Sequence, residues 1–306
     1  TEDSLDEILG KVEIRNKDNI MENITLPTEQ DGLALTWKSD KESVISTKEK
    51  ENDNYYTTPA GVVTRQDKYT SVTLTVSAEK DGVTKSREIK TTVKAKPEKK
   101  EYTAYLYAHF KEHPGQVGEQ DVFFGISKNG LDWTALNNNE AVLKSEVGDK
   151  KVRDPYIIRS ADGDKFYLIA TDQNIYQYGG VDWDKLSTQG SQALTIWEST
   201  DLVNWTDHRR VVVADSVNAG CAWAPEAIYD EGTGEYLVYW SSKVADDNYA
   251  RQYNFVSKTR DFYTFTEPEV YNDLGSNIDT SIHKEGNKYY KLIKLEEGDN
   301  LSLIHI

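Results

Sequence analysis

A chain of 306 residues has room for two domains of ordinary size. No window of it approaches the ~18 uninterrupted apolar residues of a membrane helix, which excludes helical insertion into a bilayer. Lys+Arg 36 against Asp+Glu 52 gives a net charge of −16 that would repel nucleic-acid phosphates, and the single cysteine, Cys221, can form neither an internal disulfide nor a thiolate metal cluster.

Residues 1–97 carry short alternating runs, and TEDSLDEIL at the start is acidic, a short helix or a frayed end. In LALTWKS, Trp37 alternates with Leu35 and is expected in a core. In TSVTLTVSA (70–78), Val72, Leu74 and Val76 share one face and Thr73, Thr75 and Ser77 the other, the pattern of a half-buried strand. Asp81-Gly82 then predicts a tight hairpin turn into VTKSREIKTTV. Short strands between polar turns suggest a small immunoglobulin-like β-sandwich. After it, the charged segment KAKPEKKE leads through a linker at 98–102 into a second domain over 103–300.

From Tyr102 the sequence repeats. DPYIIRSADGDKFYLIAT from Asp154, APEAIYDEGTGEYLVYWSS from Ala224 and DTSIHKEGNKYYKLIK from Asp279 each read as a strand, a glycine turn and an aromatic strand. A second element, SKNGLDW (127–133), STDLVNW (199–205) and TRDFYTF (259–265), places Ser or Thr six positions before an aromatic. The first recurs after 70 and 55 residues and the second after 72 and 60, so both keep step. The unit is a four-stranded sheet, and radial repetition of such sheets makes a β-propeller. The fold class is therefore all-β, a sandwich followed by an incomplete propeller. TAYLYAHF (103–110) matches a second strand with no first strand before it, and the unit from Asp279 shows one hairpin. Trp133 and Trp205 are expected in inter-blade cores. The final LSLIHI is what an in-frame reading of a common transposase sequencing adapter encodes, so residues 301–306 are expected to be an artefact and the gene to continue.

In a propeller the first strand of each blade lines the channel, and its exposed end reaches the ligand funnel. Asp154, Glu226 and Asp279 stand at those ends. Converging carboxylates suit glycoside hydrolysis, which needs one group to activate water and another to protonate the leaving oxygen. Each also has a plainer reading: Asp154 as a turn initiator before Pro155, Glu226 as a solvated rim charge, Asp279 as an Asx-type cap on Ser281. Trp223 is either a sugar-stacking platform or inter-blade packing.

VRDPYIIR, CAWAPEAIYD with GEYLVYWSS, and NIDTSI resemble successive blade signatures of glycoside hydrolase family 43, five-bladed propellers that act on arabinose- and xylose-containing polysaccharides. NITLPTEQDGLALTWKSDKESVIS likewise resembles the bacterial Ig-like modules found beside such enzymes. The resemblance implies that Asp154 is the general base, that Asp279 tunes and orients the acid, and that Glu226 and Trp223 contact substrate. The family's catalytic glutamate, in a Glu-Gly-Pro or Glu-Ala-Pro setting, has no counterpart, so the chain alone is expected to be catalytically silent. The implied mechanism is single displacement with inversion and needs no redox cofactor; some relatives hold a calcium ion in the channel, and the region that usually supplies its ligands is expected only in the full-length protein. A polysaccharide or oligosaccharide is the expected partner, with no nucleic acid and no membrane insertion, and the complete protein is expected to be a monomer, secreted or held at a bacterial surface. Rival readings are a retaining fructan hydrolase, a sialidase, and a noncatalytic carbohydrate-binding propeller. The fructan hydrolase lacks its earlier Asn-Asp-Pro motif here, and the sialidase its set of inner-strand arginines.

Overall fold

The computed structural model describes residues 2–53, 55–112, 119–206, 208–296 and 300–305. The chain opens with helix α1 (Glu2–Lys11), the helical alternative for the acidic start. Leu5, Ile8, Leu9 and Val12 recur at helical spacing and are all buried. The Arg87 guanidinium donates to the Leu9, Gly10 and Val12 carbonyls at 2.7, 3.2 and 2.9 Å, satisfying acceptors that a helix end leaves open. Six strands follow: β1 (Glu29–Gln30), β2 (Leu33–Ser39), β3 (Lys50–Asn52), β4 (Tyr56–Thr58), β5 (Thr70–Lys80) and β6 (Val83–Val93). They form an antiparallel sheet in the order β1-β2-β5-β6 and a β3-β4 ribbon. The hairpin stands where the alternation placed it. Val72, Leu74, Val76 and Ala78 are buried on one face, and Asp81 and Gly82 turn at φ 53° and 79°. Trp37 packs against this core while its indole N–H donates to the Pro27 carbonyl at 2.8 Å.

Four more sheets' worth of sequence yields a three-stranded sheet, two four-stranded meanders and a second three-stranded sheet. The first contains β7 (Tyr105–His109), β8 (Phe123–Ser127) and β9 (Thr134–Ala135). The first meander has β10 (Val152–Arg159), β11 (Phe166–Asp172), β12 (Ala193–Ser199) and β13 (Arg209–Val212), with helix α2 (Trp183–Thr188) between β11 and β12. The second has β14 (Trp223–Asp230), β15 (Glu235–Ser242), β16 (Tyr253–Thr259) and β17 (Glu269–Asn272); the last sheet has β18 (Asn277–Glu285), β19 (Lys288–Leu295) and β20 (Asn300–His305). Among the described residues these sheets do not close a barrel.

The recurring Ser/Thr element is the turn after β8, β12 and β16. Hydroxyls of Ser127, Ser199 and Thr259 accept the N–H three residues on at 2.8–2.9 Å, and Asn129, Asp201 and Asp261 side chains accept the next ones. Because this turn follows the third strand of each meander, β7–β9 occupy strand positions two to four, as the lone TAYLYAHF predicted. β18–β20 fill positions one to three, one strand more than the single hairpin expected at Asp279. Trp205 does pack between sheets, its ring 6.0 Å from Phe124. Trp133 does not. It is 45% exposed and tilts only against Tyr107, because no described sheet covers that face.

The N-terminal unit docks on one end of the two meanders, at the β10-β11 and β14-β15 turns. Arg65 pairs with Asp162 and Asp164 at 3.0 and 2.8 Å, and Asn23 and Thr58 donate to the Gly234 and Gly232 carbonyls at 3.0 and 2.8 Å. Tyr167 and Tyr236 both donate their hydroxyls to Glu22. Arg260 reaches back to the Ile24, Pro59 and Ala60 carbonyls. The seam leaves the opposite end of the blades open.

Candidate active site

At that open end each inner strand is interrupted. The pairing register shifts between Arg153 and Tyr156 in β10, between Trp223 and Glu226 in β14, and between Ile278 and Ser281 in β18. The first bulged residue takes a left-handed backbone each time: Asp154 at φ 49°, Ala224 at 48° and Asp279 at 53°. Non-glycine residues are held there only when their surroundings enforce it, and bulges of this kind re-aim side chains next to active sites. Asp154 and Asp279 therefore occupy equivalent positions. The position between them in the repeat is Ala224, and Glu226 falls two residues later, level with Tyr156 and Ser281.

Asp154, Asp279 and Trp223 line one cavity of about 380 Å³, together with Arg153, Trp183 and Lys294. Glu226 is not in it. It lines a neighbouring cavity of about 450 Å³ with Tyr107, His109, Phe110 and Tyr156. Asp154 lines both, and so stands at the junction.

Asp154 is fixed from the next strand. Thr171, opposite Arg153 at the end of β11, donates its hydroxyl to the Asp154 carboxylate at 2.9 Å and accepts the Ala224 N–H at 2.8 Å. This ties two bulges together through one buried hydroxyl. Burial pushes the Asp154 carboxyl above the usual range, Arg153 and the Thr171 hydrogen bond pull it back, and the Asp279 charge adds to the rise. Arg153 is itself held between Glu112, at 2.9 Å, and the Phe110 ring, 4.5 Å from its guanidinium carbon. Asp279 sits nearer solvent, 3.8 Å from the Lys294 ammonium. Partial desolvation still raises its carboxyl, with Lys294 opposing and Glu296 assisting. Glu226 is raised to about 7, by desolvation first, with hydrogen bonds from Ser281 and Tyr239 opposing and Asp279 adding to the rise. Glu226 in turn helps burial lift the Tyr156 phenol to about 12.

The Asx contact expected between Asp279 and Ser281 is replaced by these two bonds: Asp279 turns to Lys294 while Ser281 serves Glu226. Trp223 meets the edge of Trp183, ring centroids 6.1 Å apart, in the cavity wall. Thr171, Trp183 and Lys294 escaped the reading of the sequence. Thr171 had a signal: it, Ser241 and Lys294 face Arg153, Trp223 and Ile278 across the first hairpins, so aligning the second strands as well as the first would have exposed that column. Among the described residues no group of three or more His, Cys, Asp or Glu is placed to hold a metal ion.

A family model described as a probable glycosyl hydrolase domain, of the family-43-related type, matches residues 100–305. An α-L-arabinofuranosidase of Bifidobacterium longum subsp. longum is 33% identical over 301 residues, 88% of this chain and 28% of that protein. The chain thus spans little more than a quarter of that relative. Among solved structures, a family-43 β-1,3-galactosidase with galactodeoxynojirimycin shows 14% identity at TM-score 0.47, covering 68% of this chain and 71% of its own. An exo-1,5-α-L-arabinanase from a bovine ruminal metagenomic library shows 17% at TM-score 0.47, covering 68% and 67%.

Proposed function

The chain belongs to the glycosyl hydrolases related to family 43, and on that premise we propose that residues 103–300 form the catalytic propeller of an inverting glycosidase acting on arabinose- or xylose-containing plant polysaccharides or oligosaccharides. The observation that carries it is the shared register of Asp154 and Asp279, two carboxylates held at matching bulges of successive inner strands and lining one cavity.

Asp154 is the general base. Ionised, it takes a proton from the water that attacks the anomeric carbon, and a carboxyl raised towards working pH is a better base than an ordinary aspartate. Thr171 is a positioning residue that fixes the accepting oxygen. Asp279 supplies a standing negative charge beside the reacting bond. Glu226, protonated up to about pH 7, donates to a substrate hydroxyl rather than to the leaving oxygen. With no glutamate assigned to the leaving oxygen, the silence expected of the chain alone is confined to glycosides whose leaving group needs a proton, and substrates whose leaving group departs unaided should still turn over. Around this centre we propose an Ig-like module at 1–97, for which the antiparallel sheet and Asp81-Gly82 hairpin speak, and a monomeric protein secreted or held at a bacterial surface.

The test is an NMR time course on 4-nitrophenyl α-L-arabinofuranoside and β-D-xyloside, whose nitrophenolate needs no protonation. Inversion predicts that the anomer opposite to the substrate forms first. First-formed product with the substrate's own anomeric configuration would contradict the proposal.

A further inference from the structure

The contacts between neighbouring sheets are not alike. Phe124 shares an apolar core with Leu168 and Trp197 between the β7–β9 sheet and the first meander, and Ile169 shares one with Val238 and Trp240 between the two meanders. Among the described residues no such core reaches the β18–β19 hairpin, although Ile282 and Ile293 there are buried. What faces the hairpin is polar. Ser241, Asn254 and Asn272 are register partners across β15, β16 and β17, on the face that also carries Tyr239. That face meets the hairpin: the Tyr239 hydroxyl receives the Ile282 N–H, and the Lys291 ammonium lies 3.6 Å from the centre of the Tyr271 ring.

Burial here is poorly compensated. Ser241 Oγ, Gln252 Oε1 and Asn272 Oδ1 on the meander, and Asn277 Oδ1 and Thr280 Oγ1 on β18, are buried with no hydrogen-bond partner among the described residues. The two sides do touch through backbone, the Asn277 N–H donating to the Gln252 carbonyl at 3.2 Å and the Gln252 N–H to the Ser276 hydroxyl at 3.1 Å. Each orphaned atom has still given up bonds that water would supply. Lys291 is 2% exposed, has no carboxylate partner among the described residues, and burial pushes its ammonium down to about 8. Towards the seam a cavity of about 280 Å³ opens between Leu237, Tyr271, Ile282 and Tyr289, so dispersion contacts are missing as well. The Lys284–Glu231 pair that spans the gap at 3.0 Å is largely in solvent and contributes little. Release of the hairpin would return water to every one of these groups.

We infer that the β18–β19 hairpin is a detachable flap, which undocks from the second meander with its own strand ladder intact and carries Asp279 and Lys294 away from Asp154. Asp279 stands on its bulge and Lys294 faces Ile278 across the hairpin, so the cavity that both line with Asp154 exists only in the docked state. The undocking stands without the glycosidase reading. On that reading it gates the site, because a ligand that bridges Asp154 and Asp279 makes its contacts in the docked state alone and so favours it.

Acetylation of amines in the full chain, read by peptide mass spectrometry, tests this at Lys291, which is covered in the docked state. A flap that is open ~0.1–10% of the time labels Lys291 about 10–1,000-fold more slowly than the exposed Lys288. Slower labelling, at the rate that global unfolding alone permits, overturns the flap. Thr280→Val replaces an orphaned hydroxyl by a methyl of the same shape, and should slow labelling of Lys291 several-fold while leaving Lys165, at the seam, unchanged. An unaltered rate at Lys291 in that variant overturns it too. Opening read by amide exchange within β18 and β19 should be rarer than opening read at Lys291, because the ladder between the strands stays closed. Equal frequencies would mean that the strands unravel, and would overturn undocking as a unit.

Discussion

Both ends of the two meanders gather carboxylates, and they treat them in opposite ways. At the seam with the N-terminal unit, Glu22 receives two tyrosine hydroxyls, Lys165 and Arg209 flank Glu198 at 3.0 and 3.1 Å, and Arg65 answers Asp162 and Asp164. At the open end Asp154 has one hydroxyl partner, Asp279 only Lys294 at 3.8 Å, and Glu226 a long 3.5 Å bond from Tyr239 beside the one from Ser281. Buried charge with strong, close partners holds structure. Charge with few partners, beside unpaired amides and open volume, is the arrangement on which the proposed catalytic reading rests. A raised carboxyl is common to Glu22, Asp154 and Glu226, so the shift alone does not separate the two uses; the surroundings do.

That contrast can be broken first at the seam. Arg260 is 5% exposed, and its guanidinium donates to five carbonyls, those of Gly234, Thr233, Ile24, Pro59 and Ala60, with no carboxylate among them. Arg260→Ala strands these acceptors and should cost about 3–5 kcal/mol, since bonds to charged groups contribute ~1.5–3 each and the losses overlap. Denaturant unfolding measures it, and a cost under about 1 kcal/mol would mean that the seam does not hold the two units together.

Glu22 gives a pH signature for the same end. Desolvation raises its carboxyl, more than Lys165 and the two tyrosines lower it. A carboxyl raised in the fold contributes stability at acid pH and loses it as pH climbs through the folded value. Glu22→Gln should therefore flatten the fall in stability between about pH 5 and 8 in denaturant melts. An unchanged slope would place the titrating group elsewhere.

The smallest effect is at the open end. Glu226, at about 7, is protonated across the acid side of neutrality. Oligosaccharide affinity should weaken several-fold from about pH 6 to 8.5 as its donated hydrogen bond is lost. Glu226→Gln keeps an N–H donor and should remove the pH dependence while retaining affinity. If instead that substitution abolishes hydrolysis of the nitrophenyl glycosides, Glu226 is part of the reacting machinery and not a substrate contact.

Much of the blade architecture was legible because it is local. The glycine turns, the Ser/Thr element and the Asp81-Gly82 hairpin all act within a dozen residues, and their repetition fixed the strand positions of TAYLYAHF. Asp154 and Asp279 were legible because the repeat set them in register. Glu226 was grouped with them through its motif although the repeat already set it two residues after the Asp154-equivalent site, and the bulge at Ala224 bears that offset out. The seam left no trace. Glu22 meets Tyr236 and Arg260 meets Ile24 across more than two hundred residues, and nothing in NITLP or SKTRDF advertises such pairing. Read from sequence, KAKPEKKE separated two independent units. In the structure Arg65 donates to the Lys94 and Ala95 carbonyls at the start of that segment, and the units are joined along one face. Trp133 shows the opposite error: its repeat position predicted a core, but a core also needs a neighbour.

The division between the two ends meets its most direct test at Asp154. Asp154→Asn preserves the shape and the Thr171 hydrogen bond while removing the base. Turnover of an activated aryl glycoside should fall about 10²–10⁴-fold, the usual contribution of a positioned general base, with the unfolding midpoint essentially unmoved. A variant that keeps more than about a tenth of the wild-type rate, against that expected loss, or one that unfolds as Arg260→Ala is expected to, would contradict the assignment of catalysis to the open end.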